Sequence, residues 1–166
     1  MKTVALPNEV LIPAIKSAID EGHTVTFCVR GFSMRPFLED RRDQVVLSPL
    51  GDKTVRTGDV VLAEIYPQHY VLHRVVSRQS DTLTLRGDGN VWGTEKCSIS
   101  NVIGRATCFL RGKSLRPCST AGLKWKIYSL LWPQAPLMRR ILLAAYRRII
   151  MPLASQSPET PSCGSR

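Results

Sequence analysis

The chain has 166 residues and a net charge of +10, with 43% hydrophobic and 22% charged residues. This length suits one domain with a short appendage, and the composition is that of a protein with a core, which excludes a disordered chain. The excess charge is uneven, because residues 111–148 hold nine Lys or Arg and no acidic residue. Such a segment indicates either an anionic partner or a solvated helix face whose arginine stems cover apolar surface.

The cysteines give no framework for the fold. They are Cys28, Cys97, Cys108, Cys118 and Cys163. Their number is odd and no pair has C-x-x-C spacing, so neither a disulfide scaffold nor a zinc site is indicated. We expect free thiols in a reducing compartment, no metal and no cofactor.

The N-terminal segment, residues 1–22, predicts one short amphipathic helix over residues 7–21. Its apolar residues recur at helical spacing, and Gly22 follows as a C-terminal cap. Asn8, Glu9 and Pro13 interrupt the apolar pattern, so the segment is not a signal peptide. A lone helix does not make a helix-turn-helix module, which gives sequence-specific DNA binding little support.

Residues 23–117 predict a mainly β domain, because short β-branched runs alternate with turn signals. The runs are TVTFCV (24–29), QVVLSPL (44–50), DVVLAEI (59–65), YVLHRVV (70–76), TLTLRG (82–87) and VIGRATCFL (102–110). Tight turns such as Gly87-Asp88-Gly89-Asn90 join them. The pattern indicates a coiled, antiparallel, barrel-like domain.

Residues 118–153 predict a basic amphipathic helical segment, followed by a disordered tail over residues 154–166. Two stretches have helical character, LKWKIYSLLW (123–132) and PLMRRILLAAYRRII (136–150). The segment is typical of an interfacial helix on an anionic membrane, although a helical hairpin packed on the β domain stays open. The predicted membrane contacts are Trp125, Trp132, Arg139, Arg140, Arg147 and Arg148.

Three polar residues are candidates for chemistry. Ser33 follows a strand, with Gly31 before it and Pro36 after it, which indicates a rigid turn that presents the hydroxyl. A serine needs a neighbouring base, and His73, among valines on one strand face, is the candidate. Asp88 is the candidate to orient the imidazole. Taken singly, each also fits a turn serine, a core histidine or a hairpin turn.

The order of the motifs resembles the signal peptidase I superfamily, which includes the self-cleaving LexA-like repressors. The matching stretches are GFSMRPFL (31–38), TGDVVLAEI (57–65), YVLHRVV (70–76), LRGDGN (85–90) and VIGR (102–105). The resemblance covers about residues 24–110 and is to the Ser–His type, as in a short bacterial member without an N-terminal anchor. It departs from the family where Arg42-Asp43 stands in place of the usual Gly-Asp.

The resemblance implies a serine endopeptidase with Ser33 as nucleophile, His73 as general base and Asp88 or Glu95 as the acidic partner of the histidine. It also implies an extended, leader-like or signal-like peptide substrate with a small residue before the cut. Phe27, Val29, Phe32 and Met34 are the expected pocket walls. We expect a cytoplasmic protein, peripheral on the inner face of the cell membrane. A non-catalytic peptide-binding or regulatory module and a basic nucleic-acid-associated protein are the alternatives.

Overall fold

The computed structural model describes residues 8–51, 54–134, 136–146 and 148. The helices are α1 (Asn8–Asp20), α2 (Leu123–Gln134) and α3 (Pro136–Ala145). The strands are β1 (Val25–Cys28), β2 (Gln44–Ser48), β3 (Val60–Tyr66), β4 (His69–Gln79), β5 (Thr82–Arg86), β6 (Glu95–Ser98), β7 (Val102–Arg111) and β8 (Arg116–Ser119). The protein is therefore mainly β, with helices at both ends of the described chain.

All strand pairs are antiparallel and form one sheet in the order β1-β2-β7-β3-β4-β5-β6, with β8 also paired to β7. The expectation of a barrel-like closure was wrong, because the sheet is open and β1 and β6 form its two edges. Register shifts interrupt the pairing between β2 and β7, β3 and β4, β3 and β7, and β4 and β5. Such irregularities bend and twist a sheet, so the sheet is coiled without being closed.

The six predicted β runs each form a strand, and the structure adds two that the sequence pattern did not show. The additions are β6 and β8, which have four residues each. β8 crosses the predicted boundary at residue 117 and pairs with β7. β6 pairs with β5 and begins at Glu95. β6 matters for the candidate site, because it places Glu95 in the sheet, where Glu95 pairs with Leu85 of β5.

The sheet buries both of its faces, since successive residues of a strand point to opposite sides. Val60 belongs to a cluster with Phe37, Phe109 and Trp125, and we call this side of the sheet the helix face. Val61, its neighbour in β3, belongs to a different cluster on the opposite face. That second cluster contains Val55, Val61, Ala63, Val75, Leu83, Leu85, Cys97 and Val102.

Helix α1 packs on the sheet through Ile12, Ile15 and Ile19, which cover Leu47 and Leu62. These isoleucines lie at i, i+3 and i+7 and so share one side of the helix. The helix ends at Asp20, and Gly22 follows with a φ of 86°, the left-handed backbone that favours glycine at a helix C-terminus. The predicted N-terminal helix is confirmed.

Helix α2 also packs on the helix face, with Trp125 inserted into the core between Phe37 and Phe109. In the described part of the chain, no helix is both long enough and apolar enough to cross a bilayer. None of the four cysteines that the structure describes forms a disulfide. Cys163 and the predicted tail, residues 154–166, lie outside the described residues.

Candidate active site

Ser33 lies in a turn between β1 and β2 that several hydrogen bonds hold in place. The turn begins at Gly31, whose φ is 90° and whose N–H donates to Asp40 Oδ1 at 2.7 Å. The carbonyl oxygen of Ser33 accepts from the N–H of Gly89 at 2.7 Å. Ser33 is half-buried, so its hydroxyl is held at the edge of the core. The structure therefore has a turn at this motif, as the sequence predicted.

Asp43 anchors the far end of the same turn. Its fully buried carboxylate accepts from Arg42 Nε and Nη2, each at 2.8 Å, and from the N–H groups of Glu39 (2.9 Å) and Gly112 (2.8 Å). Burial by itself raises the pKa of Asp43, but these hydrogen bonds outweigh it and hold the pKa below its usual range. The carboxylate thereby ties the turn to the β7–β8 hairpin.

His73 meets an acidic residue, and that residue is Glu95. The imidazole Nδ1 lies 2.8 Å from Glu95 Oε2. The histidine side chain is 5% exposed and the glutamate side chain 33% exposed, so solvent reaches this pair from the glutamate side. In the neutral imidazole, a bond to an ionised carboxylate places the proton on Nδ1 and leaves Nε2 as an acceptor.

The Ser33 turn packs against the end of β5, the strand that pairs with β4. Arg74 of β4 pairs with Arg86, the last residue of β5, and Gly87 follows directly. A Cβ on Gly87 would collide with the Ser33 carbonyl oxygen and lie 3.0 Å from the Ser33 Cβ. Ser33 therefore packs closely on Gly87.

Ser33 and His73 lie on adjoining parts of the fold, because Ser33 packs on Gly87, which directly follows β5, and His73 lies in β4, which pairs with β5. Within the described ranges, no hydrogen bond joins Ser33 Oγ to the imidazole. Hydrogen bonds of this kind are often long in enzymes without substrate and shorten when substrate binds. The pairing of these two residues as nucleophile and base stays a prediction.

Asp88, predicted to orient the histidine, binds Arg74. Arg74 Nε donates to Asp88 Oδ1 at 2.8 Å and Nη2 donates to Oδ2 at 2.7 Å. Both side chains are at most 2% exposed. The reason is the strand alternation, because Arg74 follows His73 and points to the helix face while His73 points to the opposite one. The structure therefore gives the histidine a different acidic partner from the one first considered.

Helix α2 covers the Arg74–Asp88 pair. Tyr128 Oη donates to Asp88 Oδ2 at 3.0 Å, and Trp132 Nε1 donates to the Asp88 carbonyl oxygen at 3.0 Å. Arg74 also donates to Ser129 Oγ at 2.6 Å, and its guanidinium lies over the Trp125 ring, 4.5 Å from the centroid. Tyr128 and Trp132 of α2 thus contact the loop whose Gly89 holds Ser33.

Charge and burial act together on this cluster. Burial by itself lowers the pKa of Arg74, but the hydrogen bonds and charge of Asp88 outweigh it and raise that pKa. Burial, followed by the nearby Asp88 charge, raises the pKa of Tyr128. The guanidinium is therefore permanently charged and the phenol permanently protonated, which makes this cluster a fixed structural element.

A cleft of about 270 Å³ lies between β1 and the first half of β4. Phe27, Cys28, Val29 and Arg30 form one side, and residues 68–70 with Leu72 form the other. β1 pairs only with β2, and β4 pairs with β5 only from Arg74 onward. Among the described strands, each wall therefore has one edge that pairs with no other strand.

The four predicted pocket residues separate into two groups. Phe27 and Val29 line the cleft, although Val29 is 5% exposed and belongs mainly to the core. Met34 was wrongly expected in a pocket wall, because it is 2% exposed and packs in the core of the helix face. Phe32 is 59% exposed, and the Arg35 guanidinium lies 4.2 Å from its ring centroid.

The predicted membrane contacts that the structure describes differ in their exposure to solvent. The predictions for Trp125 and Arg139 were wrong. Trp125 is a core residue, and Arg139 is 2% exposed and donates to the Val91 carbonyl oxygen at 3.1 Å. Trp132 is half-buried against Asp88. Arg140 and Arg148 are exposed. Arg147 lies outside the described residues.

Among the residues that the structure describes, no three His, Cys, Asp or Glu side chains are grouped so that they could hold a metal ion. Comparisons of the chain with protein-family models, with curated proteins and with solved structures found no match.

Proposed function

We propose that the protein is a serine endopeptidase of the Ser–His type that resembles the signal peptidases and cleaves an extended, leader-like peptide segment. The observation that carries the proposal is the bond between His73 Nδ1 and Glu95, with Ser33 packed on Gly87 at the end of the adjoining strand. A buried imidazole that holds one nitrogen on a carboxylate activates a serine whose hydroxyl reaches its other nitrogen.

In the proposed mechanism, Ser33 Oγ attacks the peptide carbonyl carbon while His73 Nε2 takes its proton. Glu95 keeps the imidazole in the tautomer with the proton on Nδ1 and stabilises the imidazolium that forms. The imidazolium then protonates the leaving amine, which gives an acyl-enzyme on Ser33. Water, deprotonated by His73, attacks the ester carbonyl and releases the acid and the free serine.

The cleft supports an extended substrate. A peptide strand between β1 and the first half of β4 would pair through its main chain, as in β-strand addition. Phe27 and Leu72 give the cleft apolar walls, and the exposed Phe32 ring lies directly before the nucleophile. The same cleft would also serve a protein that captures a peptide without cutting it, so a test must measure cleavage.

The test is to incubate the purified protein with a diverse peptide library and to identify new peptide ends by mass spectrometry. We expect the wild type to produce cuts that Ser33→Ala and His73→Ala do not. Ser114→Ala, which changes an exposed serine elsewhere in the structure, should give the wild-type cuts. The same comparison on cellular peptide pools, with and without Ser33, would identify natural substrates.

Identical peptide ends from the wild type and Ser33→Ala, in both the library and the cellular pools, would overturn the proposal. If the library peptides bind the wild type and Ser33→Ala equally without being cut, the protein is a peptide-binding module on this fold.

A further inference from the structure

Helix α2 is apolar on two sides, and the fold uses only one of them. Trp125, Tyr128 and Trp132 point inward and are packed around the Arg74–Asp88 pair. Leu123, Ile127, Leu130 and Leu131 lie at i, i+4, i+7 and i+8, which places them together on another side of the helix. These four are between 50% and 73% exposed. A helix that is apolar on both sides normally has a partner on each.

Helix α3 extends this surface. Its Arg139 and Leu143 are buried, whereas Ile141 and Leu142 are 61% and 48% exposed. A groove of about 500 Å³ separates the helices, with Ile127 and Leu131 on one side and Leu142 on the other. We call the six exposed side chains the outer face; they are Leu123, Ile127, Leu130, Leu131, Ile141 and Leu142. Contiguous apolar surface of this kind marks an interaction site more often than scattered exposed leucines do.

The charges around the outer face have one sign. Lys124, Lys126, Arg140 and Arg148 are exposed on the same two helices and their continuation. The sequence has no acidic residue between Glu95 and Glu159. The partner must therefore accept leucine and isoleucine side chains and must also attract cations.

We propose that the outer face docks the protein on the surface of an anionic lipid bilayer. Apolar side chains surrounded by Lys and Arg match the boundary between acyl chains and anionic headgroups. A second copy of the chain fits less well, because two such faces would bring cations against cations. Nucleic acid would satisfy the cations but leave the aliphatic side chains without partners. The proposal concerns this surface alone and does not depend on catalysis.

The docking surface lies next to the candidate site. Trp92 is 75% exposed, in the loop that follows Asp88, and the Arg140 guanidinium lies 5.3 Å from its ring centroid. Indole rings favour the headgroup region of a bilayer. Phe32 is exposed before Ser33, and its carbonyl oxygen lies close to Gly89 of that loop. Docking would hold the loop and Ser33 near the lipid surface.

The test is flotation of the full chain with vesicles of phosphatidylcholine alone, or of phosphatidylcholine with phosphatidylglycerol. We expect the wild type to float with the anionic vesicles at low salt, with at least about tenfold weaker partitioning to neutral vesicles and a marked loss at high salt. The double variant Ile127→Ser, Leu131→Ser should weaken partitioning at least about tenfold. The matched control Val10→Ser, Tyr66→Ser changes equally exposed apolar residues on α1 and β3 and should bind as the wild type does.

Circular dichroism must show that each variant is folded. If Ile127→Ser, Leu131→Ser does not fold, the double variant Ile141→Ser, Leu142→Ser on α3 takes its place. Wild-type protein that stays with the buffer in the presence of anionic vesicles would overturn the proposal. So would flotation that neither outer-face variant weakens. A dimer in light scattering that the outer-face variants dissociate, without lipid binding, would assign the surface to a second copy instead.

Discussion

Two consecutive residues of β4, His73 and Arg74, each bind a carboxylate, but on opposite faces of the sheet. His73 makes one bond, to a glutamate whose side chain is 33% exposed. Arg74 makes two bonds to Asp88, which is 2% exposed and is covered by Tyr128. Adjacent positions in one strand therefore place their charges in very different environments.

The difference shows why the two pairs suit different roles. A base must gain and lose a proton during each turnover, which requires a partner that tolerates both states and some access to solvent. A permanently charged guanidinium between aromatic rings does not change its state. The Arg74–Asp88 pair is therefore suited to hold the Gly87–Gly89 loop against Ser33, and in the proposed mechanism the His73–Glu95 pair would move the proton.

The strongest test of this contrast is Arg74→Met. It leaves the Asp88 carboxylate buried without its cation, and the free energy of unfolding should fall by about 3–5 kcal/mol. Denaturation by urea measures the loss, and Arg116→Met, at an exposed arginine, is the control. Adding Asp88→Asn to Arg74→Met should restore part of the stability. A loss below about 1 kcal/mol would mean that the pair does not hold the loop.

Glu95→Gln tests the other pair. The amide cannot stabilise the imidazolium, so kcat/KM for peptide cleavage should fall about 100-fold, which corresponds to about 2.7 kcal/mol. The free energy of unfolding should change by less than about 1 kcal/mol, because the side chain is partly exposed. Glu95→Asp keeps the charge on a shorter side chain, so its kcat/KM should lie between those of the wild type and Glu95→Gln. Full activity in Glu95→Gln would remove Glu95 from the mechanism.

Asp43→Asn examines a third pair, with a buried carboxylate and a partly exposed arginine. The free energy of unfolding at pH 7 should fall by about 2 kcal/mol, because a charge-assisted acceptor of four bonds is lost. The folded pKa of Asp43 is lowered, so its contribution is complete above the unfolded pKa, about 3.9, and is lost as the pH falls through the folded pKa.

The difference in stability between wild type and Asp43→Asn should therefore shrink in acid, as measured by denaturation from pH 7 to pH 2. Asp81→Asn, at an exposed position, is the control and should show no such trend. A difference that grows towards low pH would contradict the lowered pKa.

Tyr128→Phe gives the smallest effect. It removes the hydroxyl that donates to Asp88 and keeps the ring that stacks on Phe37, so the expected loss is about 1.5 kcal/mol. Because the pKa of Tyr128 is raised, the phenol is protonated throughout the neutral range, and the loss should not vary between pH 6 and pH 9. Tyr66→Phe, at an exposed ring, should match the wild type. If Tyr128→Phe is as stable as the wild type, the Tyr128 hydrogen bond does not stabilise the fold, and α2 only covers the Arg74–Asp88 pair.

The sequence predicted the parts of this structure that depend on local pattern. Six strands follow from alternating β-branched runs, and the Ser33 turn follows from Gly31 and its neighbours. The strand β6 was not predicted because Glu95–Ser98 is short and polar, and only Cys97 of its four residues is buried. Without β6, Glu95 has no defined place, so the acidic partner of His73 could not be chosen.

The inward side of α2 could not be predicted for a different reason. Its apolar residues surround the helix, so periodicity does not distinguish Trp125, which is in the core, from Leu130, which is exposed. The choice depends on Arg74 and Asp88, which lie more than 35 residues earlier in the chain. Contacts at such separation leave no signal in a local pattern.

The position of α2, after the residues that it covers, has a consequence for synthesis. Asp88 and Arg74 leave the ribosome well before Tyr128 and Trp132, and chains fold from their N-terminal part during translation. A nascent chain that stops at residue 122 has the serine, the histidine and the glutamate but lacks the helix that covers the ion pair. The loop that holds Ser33 therefore gains its full support only after α2 has been synthesised.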